Sequence, residues 1–131
     1  MNPKKYAPII LRISLSLVFL WFGYTSIFNY EKFLGYVPAF AHSVPIPMRE
    51  LLFLNGAFEI ALGLFLLAGF LTRISALLLS LHTLAIMVSL GYNYLAVRDF
   101  CIALATLAVF INGEDEWCID MKLKAEKKGF T

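Results

Sequence analysis

Four stretches of this 131-residue chain, at 7–28, 51–71, 74–90 and 94–111, are apolar over nearly their whole length. A helix needs about 20 mainly apolar residues to cross the hydrocarbon core of a bilayer. Composition points the same way. Hydrophobic residues make up 60% of the chain and charged residues 15%, with a mean hydropathy of +0.77. A soluble domain carries about 45–50% and about 25%, and a chain this short has too little interior to hide the surplus. The expectation is an all-α, integral membrane four-helix bundle, one domain over 1–131 with a short tail at 112–131. A net charge of +2 is too weak for a nucleic-acid partner. Two cysteines, Cys101 and Cys118, are too few for a disulfide scaffold or a four-ligand zinc site, and no metal is expected.

The first stretch is too long for a cleaved signal peptide and lacks a small-residue cleavage site, so it is expected to remain in the protein. The loop at 29–50 holds His42 and three prolines. Its Phe33, Tyr36, Val37 and Phe40 have the spacing of a short interfacial helix. Gly69 to Arg73 forms a tight turn, with Thr72 as the expected N-cap of the third helix. Lysine and arginine set the orientation. One side collects Lys4, Lys5, Arg12, Arg73, Lys122, Lys124, Lys127 and Lys128, eight residues, and the other only Lys32, Arg49 and Arg98, three. This predicts a multi-pass protein of the cell membrane with both termini cytoplasmic.

Ionisable residues within or at the edge of the spans carry the functional information. Arg12, Glu59, His82, Arg98 and Asp99 each need a partner or a wet cavity, because a charge near a helix centre costs at least ~2.5–3.5 kcal/mol. Helical spacing gives every span one small or polar face. On the first it is Arg12, Ser16, Phe19, Gly23 and Ser26; on the second Asn55, Glu59 and Gly63, with Gly56 adjacent. On the third it is Ser75, His82, Ser89 and Asn93; on the fourth Arg98, Cys101, Ala105, Ala108 and Asn112. Such faces let helices approach in lipid and hydrogen-bond across the interface.

At ~1.5 Å per residue, Glu59 lies ~15 Å beyond Arg49 and His82 ~13 Å beyond Arg73, both near mid-membrane. A lone carboxyl group at that depth favours its neutral form, whereas an arginine within reach favours the charged one. An Arg12–Glu59 pair with His82 as neighbour is the expected centre. Simpler readings stand beside it. Arg12 can snorkel to headgroups, Glu59 can belong to a structural ion pair, His82 can be an interhelical donor, and Arg98-Asp99 can merely open the fourth helix.

The chain has no Cys-x-x-Cys pair, phosphate-binding glycine loop or nucleophile elbow. Cys101 and Cys118 should lie ~25 Å apart, too far for a disulfide. A bis-histidine haem inside one bundle is ruled out because His42 falls in the loop. Redox chemistry would require a diffusible quinone or a partner subunit.

Several features occur in a recognisable order. Leu11-Arg12 precedes Val18-Phe19-Leu20-Trp21-Phe22-Gly23, and a loop proline precedes the second span. Glu59, Gly63, Gly69 and Thr72-Arg73 then form the pattern E-x-x-x-G-x(5)-G-x-x-T-R. Arg98-Asp99 opens the fourth span, and Gly113 and Ile119-Asp120 close the chain. Over nearly its whole length this resembles the DoxX family of small four-helix membrane proteins; Thr25-Ser26-Ile27 stands where members often carry a lysine. Members are associated with quinol oxidase and thiosulfate:quinone oxidoreductase of sulfur-oxidising archaea, or with membrane redox-stress complexes. The resemblance implies a quinone-linked or redox-linked membrane subunit with no covalent cofactor. Its family-like polar positions would be Arg12, Glu59, Arg73, Arg98 and Asp99.

Two readings of function follow. In the first, Arg12, Glu59, His82, Arg98 and Asp99, supported by Ser16, Asn55, Gly63 and Arg73, line a pocket where a quinone exchanges protons beside an oxidoreductase partner. In the second, the same bundle binds lipid or a small apolar ligand, or scaffolds partner proteins, without chemistry. A proton-coupled transporter is disfavoured because no inverted repeat is visible. Small-residue faces on the first and fourth spans leave room for a homo-oligomer.

Overall fold

The computed structural model describes residues 2–32, 43–90 and 94–129, with the backbone alone at 89 and 90. Among these residues the fold is entirely helical. A 3-10 turn, Pro3–Lys5, leads into α1 (Tyr6–Phe28), followed by α2 (Met48–Ala68), α3 (Thr72–Leu90), α4 (Tyr94–Asn112) and α5 (Ile119–Gly129). The segments 3–28, 48–68 and 94–112 are long and apolar enough to cross a membrane, while the described apolar stretch of α3, Thr72–Val88, is shorter. The side chains are distributed inside out. Trp21, Phe28, Val88 and Ile111 project outward, whereas Arg12, Ser16, Glu59, Ser80, Asp99 and Thr106 are buried. An apolar exterior around a polar seam is the arrangement lipid favours, since polar groups there must be satisfied from within.

The helices associate mainly as two pairs, α1 with α2 and α3 with α4, with lighter packing of α2 on α3 and α1 on α4. Glycine sets the first pairing. A Cβ on Gly56 would stand 2.7 Å from the Gly23 carbonyl oxygen, and one on Gly23 would stand 2.8 Å from that of Gly56. Ser26 Oγ then donates to the Leu52 carbonyl at 2.8 Å. In the second pair, Ser80 Oγ donates to the Ala103 carbonyl at 2.9 Å. Leu15, Phe19, Leu66, Ala76, Leu79 and Val109 form the apolar core between the pairs.

The polar face expected on α1 is buried at Arg12, Ser16, Phe19, Gly23 and Ser26. The α4 face differs from expectation. Ala96, Asp99, Ala103, Thr106 and Val109 point inward, while Arg98, Cys101, Ala108 and Asn112 are exposed. The inward set also has helical spacing, and it places small Ala103 where Ser80 reaches its carbonyl. On α3, Ser75 is buried with Ala76, Leu79, Ser80 and Thr83, and His82 sits at the edge of that face.

Helix ends also shift. α2 begins at Met48 rather than 51, because the Pro47 carbonyl accepts from the Glu50 and Leu51 amides and Glu50 favours the positive end of a helix. It stops at Ala68 because Gly69 turns left-handed at φ 76. Its amide reaches Leu66 and the Phe70 amide reaches Phe65, so orphan carbonyls are satisfied. Thr72 is not the N-cap of α3 but its first helical residue. The cap is Asp120, whose carboxylate accepts from the Leu71 and Thr72 amides at 2.9 and 2.8 Å. The tail at 112–131 thus carries a fifth helix. Phe33, Tyr36, Val37, Phe40, His42 and Asn93 lie outside the described residues, as does the side chain of Ser89.

Candidate functional site

The structure divides the expected polar cluster into three centres. Arg12 does not pair with Glu59. Its Nε donates to Asp115 Oδ2 at 2.7 Å, and its Nη1 donates to the Leu66 and Leu67 carbonyls at 2.7 and 2.6 Å. The guanidinium is 2% exposed and Asp115 3%, so this ion pair is sealed into the end of the bundle where α2 stops. Ser16 Oγ donates to the Arg12 carbonyl.

The residues after α4 build the other half of this centre. Gly113 is left-handed at φ 78, and a Cβ there would stand 2.7 Å from the Arg73 guanidinium. Cys118 is buried under Gly69, where a Cβ would meet its Cα at 2.5 Å. The Thr72 hydroxyl and the Asp115 amide both donate to its sulfur, at 3.5 and 3.3 Å. Burial pushes the Cys118 thiol up, against the downward pull of those two hydrogen bonds. At the rim, Lys124 Nζ donates to Glu114 Oε1 at 3.0 Å, and that bond holds the Glu114 carboxyl below the usual range. Local spacing did not indicate Asp115, Cys118 or Asp120. Their available signal was an acidic residue two after a helix-ending glycine and another at the start of an unassigned helix.

The second centre is Glu59, near the middle of α2. Its Oε1 accepts from Asn55 Nδ2 at 3.4 Å and lies 3.3 Å from His82 Nε2. The His82 ring packs on Phe58 with centroids 4.8 Å apart. Among the described residues, Glu59 Oε2 and Ser75 Oγ are buried with no hydrogen-bond partner. The Glu59 side chain is 6% exposed and His82 23%. The acid is therefore enclosed, and the imidazole lies between it and the outer surface. Gly63, one turn on, makes room for Leu20 and Phe19 of α1.

The third centre is a local pair on α4, where Arg98 Nε and Nη2 each lie 3.1 Å from Asp99 Oδ1. Asp99 is buried, whereas the half-exposed Arg98 holds its guanidinium 4.7 Å from the centre of the Phe22 ring on α1. That contact ties α4 to α1 by a cation–π interaction.

Of the expected set, the structure brings Asn55, Glu59 and His82 together. It seals Arg12 into the end of the bundle and leaves Arg73 exposed there, beside Gly113. A carboxyl group with one oxygen unpartnered among the described residues thus lies beside a histidine and an aromatic ring, and carboxyl and imidazole are both groups able to exchange protons.

The family model DoxX matches residues 7–91, which includes Arg12, Glu59, Arg73 and His82. Arg98, Asp99, Asp115 and Asp120 follow the matched region. No curated protein and no solved structure matches the chain. With nearly two-thirds of its length matched and three helices apolar enough to span a bilayer, this multi-pass membrane protein belongs to the DoxX family.

Proposed function

We propose that the protein is a quinone-interacting subunit of a membrane redox complex, with Glu59 and His82 handling protons for the bound ring. One observation carries this reading: Glu59 Oε2 is buried near mid-helix without a partner among the described residues. A buried polar atom left unpaired is costly, and a ligand group would relieve that cost. A protonated carboxyl can donate to a quinone carbonyl oxygen, and an ionised one can accept from a quinol hydroxyl. His82, beside Oε1 and partly exposed, can take a proton on one ring nitrogen while releasing one from the other.

Quinone reduction consumes two electrons and two protons, and the electrons would come from a partner oxidoreductase. In this reading α3 is the fourth span, and both termini are cytoplasmic on the strength of the eight-to-three lysine and arginine bias. The alternative is a bundle that binds lipid or an apolar ligand, or scaffolds a partner, and uses the same pocket without proton transfer.

The test replaces the native chain by Glu59→Gln and follows quinone-linked turnover in the resulting membranes. Turnover should be lost while the inserted amount is unchanged. Unchanged turnover would contradict proton handling at Glu59 and leave the non-enzymatic alternative.

A further inference from the structure

α5 has no buried residue, yet its first turns are tied to the bundle. Asp120 binds the first amides of α3, and its own amide donates to the Gly69 carbonyl at 3.1 Å. Lys124 is tied to Glu114 at 3.0 Å. These bonds hold the start of α5 at the turn where α2 ends and α3 begins, which is the level of the membrane–water boundary for a bundle crossing a bilayer.

The surface beside that attachment is mixed in character. Ile119 and Leu123, four residues apart, share one helix face, and each is 40% exposed. Lys122, three residues from Ile119, and Lys127, four residues from Leu123, flank that apolar pair on either side. Trp117, just before the helix, is 58% exposed. Of the two acids in α5, Asp120 is committed to α3, and Glu126 alone dilutes the positive face. A tryptophan with an apolar pair flanked by lysines suits the headgroup region, where the ring and lysine stems enter and the ammonium groups meet phosphate.

We propose that Trp117 and the lysine-flanked face of α5 dock on anionic phospholipid headgroups of the bilayer the bundle crosses. The excess of lysine over acid selects anionic over zwitterionic lipid. The attachment through Asp120 keeps the helix at headgroup depth. This inference is independent of any ligand at Glu59 and requires only that the bundle span a membrane.

Trp21→Phe leaves Trp117 as the sole tryptophan, and the full chain with that change is reconstituted in phosphatidylcholine vesicles containing phosphatidylglycerol. Bromine on either lipid quenches a tryptophan it touches. Brominated phosphatidylglycerol should quench Trp117 about twofold more than brominated phosphatidylcholine at equal mole fraction. The ratio should fall to parity when Lys122 and Lys127 are both changed to Gln. It should also fall when salt rises from about 0.05 to about 0.5 M. Equal quenching in the chain that keeps both lysines would overturn the proposal, as would no quenching by either lipid or a preference that survives the double change.

Discussion

Arg12 and Asp115, 103 residues apart, meet at 2.7 Å inside the end of the bundle. The pair joins the first helix to the segment after the fourth, and the arginine Nη1 satisfies Leu66 and Leu67 carbonyls that a helix end would otherwise leave open. Removing one partner strands the other charge. Asp115→Ala should therefore destabilise the protein by about 3–5 kcal/mol, measured by reversible unfolding in detergent. Arg12→Met with Asp115→Leu should cost less than the sum of the single changes. Additive losses would show that the two side chains act separately.

A smaller loss is expected at Asp120, whose carboxylate caps α3. Asp120→Ala should cost about 0.5–2 kcal/mol and accelerate hydrogen exchange at the amides of Leu71 and Thr72. Unchanged exchange there would show that the cap contributes nothing.

The close crossing of α1 and α2 predicts a steric effect. Gly56→Ala places a methyl group 2.7 Å from the Gly23 carbonyl oxygen and from Ile27 Cγ1, and Ala in its place should cost about 1–3 kcal/mol through overpacking. The thermal midpoint should drop. A rise would mean that the helices can separate without loss.

Glu114 and Cys118 give opposite pH dependences. The Glu114 carboxyl is held below its ordinary 4.5 chiefly by Lys124, so its contribution is full above that value and is lost as pH falls through the lowered one. The pair is near the surface, and the loss should stay below about 1 kcal/mol and vanish in Lys124→Ala. Burial raises the Cys118 thiol above its ordinary 9.0. Its contribution is full below 9.0 and declines as pH rises toward the raised value. A membrane-permeant maleimide should label exposed Cys101 in the folded protein and Cys118 only after unfolding. Equal labelling of both would contradict the closed end.

The α1 face was readable in sequence because Arg12, Ser16 and Ser26 are costly toward lipid and, with small Gly23 in line, leave one orientation. α4 offered two equivalent stripes of small residues, and the choice fell to Ala103, whose carbonyl meets Ser80 across the interface. No one-helix pattern contains that contact. The Arg12 partner was hidden for a related reason. An acidic run after a helix-ending glycine reads as solvated, and only the fold-back of the tail under Gly69 buries Asp115. The neighbours of Glu59 were easier to place, since Asn55 lies four residues away on its own helix and His82 sits at matching depth on the next.

Extraction of the native chain and of Glu59→Gln in mild detergent, followed by ultraviolet spectra before and after borohydride reduction, tests the proposed role of Glu59 most directly. The native chain should carry a bound quinone whose absorbance bleaches on reduction, and the variant should fold but lose it. A native chain without a bleaching band, or a variant retaining as much quinone as the native chain, would contradict the role given to Glu59.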